Sequence, residues 1–141
     1  MASRELGPPL ITLDTSALFA LLDGADPDHA ATTAALRSDG GPYVVPALIL
    51  AEIGYLAERR LGLQALDALL DDLDSGAFSL DFDQGDLTRI RELAGRYADL
   101  PLGFADSAVV ACAERHGGRI LTLDADFTVV AREGTVRVVV L

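Results

Sequence analysis

The sequence predicts an α/β sandwich built on a mainly parallel sheet. Three observations lead there. Short apolar runs of strand length alternate with longer stretches of helical pattern along the chain. Two of those runs, Ile11-Thr12-Leu13 and Ile120-Leu121-Thr122-Leu123, stop on an aspartate. Open parallel sheets place their ligands at such strand ends. Glycine-rich breaks, among them Gly40-Gly41-Pro42 and Gly117-Gly118, separate the segments. At 141 residues the chain is expected to form a single domain, 1–141, large enough for one core.

In chain order, residues 11–13 form a buried strand that ends at Asp14 and turns directly into a helix over 16–22. Thr15 or Ser16 is the expected cap. Asp26-Pro27-Asp28-His29 is a loop and helix start, with Pro27 tolerated in the first turn, and that helix runs to Arg37. Residues 43–45 are a short strand. Pro46 opens a helix over 47–61 that Gly62 closes, and 63–73 is an amphipathic helix with its acids outside. A short strand at 78–80 precedes a polar-faced helix at 84–97 and a mostly apolar helix at 104–116. The strand at 120–123 ends at Asp124, 126–130 is at most a short helix, and 136–141 is a last strand.

Half of the residues are hydrophobic, with few aromatics and no Trp, so Leu, Val, Ile and Ala make the core. The formal charge is −11, and every one of the basic residues is Arg. Such a chain repels phosphate at long range, which argues against non-specific nucleic-acid binding through a basic surface. Nucleic acid remains possible as a substrate, with metal ions and local arginines supplying the attraction, and a basic protein partner also fits the charge. Cys112, the single cysteine, lies in an apolar helical stretch and reads as a small buried residue. The opening Met1 to Pro9 has no signal-peptide core, and no apolar run reaches the ~20 residues of a membrane span. A soluble, cytoplasmic protein is expected, with no membrane partner.

Four acids stand where acids are costly or informative. Glu52 has Leu48, Ile49, Tyr55 and Leu56 at three- and four-residue spacing, so it is expected in the middle of an apolar helix face. Burying an unpaired carboxylate there costs several kcal/mol or raises its pKa until it is neutral. Asp106 lies near the start of the 104–116 helix, Asp14 precedes a helix, and Asp124 and Asp126 flank Ala125 after a strand. Each of these positions also suits ordinary capping or turn chemistry. Taken together, two acids end buried strands, one starts a buried helix and one interrupts an apolar face. In a parallel sheet those places share one edge. Carboxylates gathered there repel unless a positive charge lies among them, and the chain has no Lys to provide it. A hard divalent cation, Mg²⁺ or Mn²⁺, is the economical answer.

At these residues the chain resembles the PIN-domain family, in particular the VapC ribonuclease toxins of bacterial VapBC toxin–antitoxin pairs. The matching pieces are Leu13-Asp14-Thr15-Ser16-Ala17-Leu18, Ala51-Glu52-Ile53, Gly103-Phe104-Ala105-Asp106-Ser107-Ala108 and Thr122-Leu123-Asp124-Ala125-Asp126-Phe127. The stretch from Tyr97 to Asp106 adds to the likeness, and the ordered set spans Ile11 to Phe127. The resemblance implies a three-layer α/β/α fold and a Mg²⁺- or Mn²⁺-dependent endoribonuclease. Asp14, Glu52, Asp106 and Asp124 take the family's acidic catalytic and metal positions, and Asp126 is a further metal ligand or a neighbour of the ligands. A hydroxyl residue, Thr15 or Ser16, would orient a carboxylate or water. The implied partners are an RNA substrate, a cognate antitoxin and a second copy in a homodimer.

The chemistry agrees with the residue types. A metal held by carboxylates activates water and stabilises charge on a phosphate, leaving a 5′-phosphate end. No pair of histidines offers an acid–base route instead: His29 reads as a helix-start residue and His116 as a helix C-terminus. A receiver domain needs a Lys that is absent, a dehalogenase-type phosphatase needs an Asp where Ser16 stands, and a Toprim domain needs Glu at the place of Asp14. The alternative from another class is a catalytically silent PIN-like module that binds protein or RNA.

Overall fold

The computed structural model describes residues 10–140. The opening segment read for a signal peptide, and Leu141 of the last strand, lie outside the described residues. The chain runs β1 (Ile11–Leu13), α1 (Thr15–Leu22), α2 (His29–Asp39), β2 (Tyr43–Pro46), a 3-10 turn (Ala47–Ile49), α3 (Leu50–Leu61), α4 (Leu63–Asp74) and β3 (Phe78–Asp81). It continues through α5 (Asp86–Arg96), α6 (Gly103–Arg115), β4 (Arg119–Thr122), α7 (Asp126–Ala131) and β5 (Arg137–Val140). Every predicted element is present and most ends shift by one or two residues, but the helix expected from 47 begins as the 3-10 turn and becomes α3 at Leu50, and Pro27 lies before α2 rather than in its first turn.

All the strand pairings are parallel, in the order β3-β2-β1-β4-β5. The strand β1 is central, and its three consecutive residues are all buried. Because successive side chains of a strand point to opposite faces, burial of all three means that helices cover both faces of the sheet. The chain moves outward from β1 through β2 to β3, then returns to lay β4 on the other side of β1. The reversal opens a crevice between the carboxyl ends of β1 and β4, the place where such sheets bind ligands. Leu13 sits opposite Leu121 in that pairing, so Asp14 and Thr122 emerge side by side.

The helix α6 explains why the core needs few aromatics. Its residues Ser107, Ala108, Val109, Val110, Ala111, Cys112 and Ala113 are all buried, and their small size lets the helix pack closely on β1 and β4. Burial of Cys112 agrees with its reading as a core residue. The thiol is pushed up to about 12 by burial and by the Asp81 carboxylate, so the metal-free thiol is unreactive at neutral pH. The join between α3 and α4 is the single residue Gly62, which has a φ of 98° that L side chains rarely adopt.

Two further expectations need correction. The cap of α1 is Asp14 itself, whose side chain accepts from the Ala17 amide, rather than Thr15 or Ser16. The strand therefore hands over to the helix one residue earlier, and both hydroxyls fall inside the first turn. Glu52 is exposed rather than buried. The buried stripe of this segment is Ile49, Ile53 and Ala57, one residue around the helix from the stripe that holds Glu52. Tyr55, taken as part of its apolar surround, is 60% exposed. Among the described residues no helix is long and apolar enough to cross a membrane.

Candidate active site

The crevice is built around Asp14. Its backbone is extended, with φ −91° and ψ 177°, which aims the carboxylate back at the first turn of α1. Oδ1 accepts from the Ala17 amide at 2.8 Å and from the Ser16 hydroxyl at 2.8 Å. Oδ2 accepts from the Thr122 hydroxyl at 2.5 Å. The group is only 3% exposed. Burial pushes its carboxyl above the usual range, the bonds from Thr122, Ala17 and Ser16 pull it down, and Asp124 adds to the rise.

Two hydroxyls stitch the ends of β1 and β4 together. Ser16 donates to Asp14 and accepts from the Leu123 amide at 3.0 Å. Thr122 donates to Asp14 and accepts from the Asp124 amide at 2.9 Å. Both oxygens act as donor and acceptor at once, so neither is available to rotate. Asp124 in turn accepts from the Asp126 amide at 2.8 Å, which fixes the turn into α7.

Glu52 reaches the same crevice from α3, where its Oε1 accepts from the Thr15 hydroxyl at 2.7 Å. Asp106 approaches from the first turn of α6, partly buried. Its carboxyl is pushed up to about 7, first by burial and then by the charges of Asp124, Asp14, Glu52 and Asp126. Four separate elements thus deliver acids to one place. An open cleft of about 420 Å³ has Asp14, Glu52, Asp106 and Asp124 in its walls, with Arg60 beside them. Arg60 lies over the Phe19 ring, 5.8 Å from its centroid, a cation–π contact.

The structure therefore brings together Asp14, Glu52, Asp106 and Asp124. Asp126 contributes to the field at Asp106 but does not line the cleft. None of the ion pairs among the described residues joins an arginine to any of these five acids; they link Arg89, Arg96, Arg115 and Arg119 to other carboxylates. His29 is a structural residue, its Nδ1 lying 2.8 Å from the Ala20 carbonyl. Sequence reasoning gave Thr122 no role. Its only signal was a hydroxyl near the end of an apolar strand, which also suits β propensity.

The model of the PIN domain family matches residues 11–133, from the first strand to just beyond α7. The chain belongs to the PIN-domain family. All five acids fall inside the matched span. This PIN-domain chain is 39% identical over 114 residues to Ribonuclease VapC26 of Mycobacterium tuberculosis, covering 79% of this chain and 84% of that protein. Its fold is similar to that of VapC20 of Mycobacterium tuberculosis, described as a sarcin-ricin loop cleaving toxin. The TM-score is 0.76 at 22% identity, covering 85% of this chain and 94% of that one. It is also similar to VapBC2 from Rickettsia felis, solved bound to a DNA fragment from its promoter, with a TM-score of 0.68 at 15% identity over 93% of this chain and 98% of that one. At those identities the two structures establish the PIN fold.

Proposed function

We propose that this PIN-domain protein is a divalent-metal-dependent endoribonuclease and the toxin of a toxin–antitoxin pair. The observation that carries the reading is the convergence of Asp14, Glu52, Asp106 and Asp124 on one cleft, with no arginine among the described residues ion-paired to them. The likeness to a protein named a ribonuclease supplies the substrate class. The donor set is entirely oxygen, which suits Mg²⁺ or Mn²⁺ rather than a soft metal. The Asp106 carboxyl is pushed up to about 7 by burial and then by the neighbouring carboxylates, charges that a bound cation would offset. Asp14, Glu52, Asp106 and Asp124 would hold the ion, with Asp126 steadying Asp124 through its amide.

When bound, such an ion activates water and offsets charge on the scissile phosphate. The protein's own part is positioning. Thr122, Ser16 and the Ala17 amide hold Asp14 in place, and Thr15 holds the exposed Glu52. Arg60, on the cleft wall, is placed to draw the phosphate backbone into an otherwise acidic opening. Manganese calorimetry tests this reading. One carboxylate-dependent site is expected in the native protein, and Glu52→Gln with Asp106→Asn should remove it. Unchanged affinity in the double variant would favour a catalytically silent module.

The raised carboxyl of Asp106 gives a pH prediction for the metal-free protein. An unfolded aspartate titrates near ~3.9, whereas this one holds its proton to about 7. Below the unfolded value both states are protonated and the group contributes no difference. As pH rises from there to 7 the unfolded chain ionises first, so stability falls, and above 7 the loss is complete. Asp106→Asn should therefore raise the melting temperature at pH 8 relative to the native protein, but not at pH 4. The gain at pH 8 is on the order of 1–2 kcal/mol, reduced by partial exposure. A lower melting temperature at pH 8 would mean that the carboxylate has a structural partner.

The proposal includes a homodimer and an antitoxin partner. On α4, Leu69 is fully buried, but Leu63 and Leu70 are 70% and 47% exposed. A groove of about 590 Å³ is lined by Leu50, Leu70, Leu73 and Leu80 together with Asp67, Asp71 and Asp74. Such a surface is covered in most stable proteins, and a two-fold contact through α4 covers it symmetrically. Sedimentation at micromolar concentration should give a dimer, and Leu63→Arg with Leu70→Arg should give a monomer. A native protein that sediments entirely as monomer would contradict the dimer.

A further inference from the structure

Outside the acidic cleft, among the described residues, one group of three metal-ligating side chains has its ligand atoms within 4.8 Å of one another: Asp81, Cys112 and His116. Asp81 is the last residue of the edge strand β3. Cys112 and His116 are four apart at the end of α6, so they share one face of that helix. The Asp81 Oδ2 lies 3.6 Å from the Cys112 sulfur and 3.2 Å from the His116 Nε2. That nitrogen is buried, and the Asp81 carboxylate at 3.2 Å is the polar group it faces.

We propose that Asp81, Cys112 and His116 form a second metal site, one that takes Zn²⁺. One sulfur, one nitrogen and one oxygen ligand suit a borderline-soft ion in tetrahedral geometry, with the fourth position open. The same set is unsuited to Mg²⁺, which selects oxygen. The two sites are therefore separated by ligand chemistry as well as by place. The two separations from Asp81, 3.6 Å and 3.2 Å, already match a tetrahedral set, and the Cys112–His116 separation, within 4.8 Å, has to come to roughly 3.5 Å for ligand bonds of about 2.0–2.3 Å.

The surroundings fit a ligating carboxylate. Arg115 donates to Asp81 Oδ2 at 2.5 Å while gripping Asp86 through Nε at 2.6 Å and Nη2 at 2.7 Å. Asp86 is itself buried, so Arg115 stays in place and fixes Asp81 through Oδ2, the oxygen that also faces Cys112 and His116. Zinc displaces the thiol proton of Cys112, which passes to the buffer as the sulfur–zinc bond forms. The ion ties the edge strand β3 to α6. The first turn of that helix carries Asp106, six residues and about 9 Å of helix from Cys112.

The test uses full-length protein carrying Glu52→Gln and Asp106→Asn, which silences the acidic cleft and keeps this result independent of the proposed nuclease site. Titration with Co²⁺ is expected to give one equivalent, a near-ultraviolet sulfur-to-metal charge-transfer band and proton release. Zn²⁺ should displace the Co²⁺ and raise the melting temperature. Cys112→Ser should abolish the band. His116→Gln, which leaves the buried thiol intact, should keep the fold and weaken affinity by about 100-fold or more. Absence of the band, or zinc stabilisation that survives both Cys112→Ser and His116→Gln, would overturn the proposal.

Discussion

Asp106→Asn is expected to lower RNA cleavage by about 10²–10³-fold while leaving the metal-free fold at least as stable as before. The two signs belong together. Asp106 makes no hydrogen bond among those of the described residues that tie down Asp14, Glu52 and Asp124, and its carboxyl is opposed by four neighbouring acids. Removing its charge relieves repulsion and at the same time removes a ligand. Asp14→Asn, Glu52→Gln and Asp124→Asn should cost activity on the same scale, since each takes part of one shared charge cluster. Asp126→Asn should cost less, since the backbone amide that holds Asp124 is kept. Initial cleavage rates of a fluorescent RNA, read beside thermal melts without metal, check both signs. Loss of activity accompanied by loss of fold would give Asp106 a structural role instead.

Thr122→Val should be nearly as damaging, through a different route. The hydroxyl donates to Asp14 at 2.5 Å and accepts from the Asp124 amide at 2.9 Å. Val keeps the shape and removes both bonds at once. A hydrogen bond to a charged group contributes ~1.5–3 kcal/mol, and a buried group left without its partner costs ~1–3 kcal/mol. The fold should lose on the order of 2–3 kcal/mol at neutral pH, and manganese affinity should fall by about 10–100-fold. Thr122→Ser retains the oxygen and should restore most of both. If Val and Ser variants bind manganese as well as the native protein, Thr122 does not position the cluster.

How far the sequence carried these conclusions depends on the kind of signal. Asp14 and Asp124 were legible because an apolar run that ends on an acid has few meanings in a parallel sheet. Asp106 was legible from its place before an unbroken stretch of small apolar residues. Glu52 was picked out for an environment it does not have. The helix α3 carries two adjacent apolar stripes, one through Ile49, Ile53 and Ala57 and one through Leu48, Tyr55 and Leu56. Periodicity alone does not say which of them faces the core. The sheet settles it, since Ile49 and Ile53 are fully buried and Tyr55 is not. The consequence is energetic: an exposed Glu52 pays little for its charge, so Glu52→Gln carries no large gain in fold stability.

The order of the strands was not legible either. Alternating elements imply a parallel sheet but do not place β4 beside β1, and that placement is what brings Asp124 next to Asp14. Thr122 was missed for the same reason. Its partner lies 108 residues away in sequence, and a threonine in a strand has an ordinary explanation of its own.

The central claim is that the four carboxylates hold a divalent ion that cleaves RNA. Mapping the ends of single-stranded RNA exposed to the purified protein tests it most directly, with Mg²⁺ or Mn²⁺, with EDTA, and with Asp106→Asn. The account predicts internal cuts that leave 5′-phosphate and 3′-hydroxyl ends with metal, and intact RNA in the other two arms. Cuts that persist in EDTA or in Asp106→Asn, or that leave cyclic phosphate ends, would contradict it.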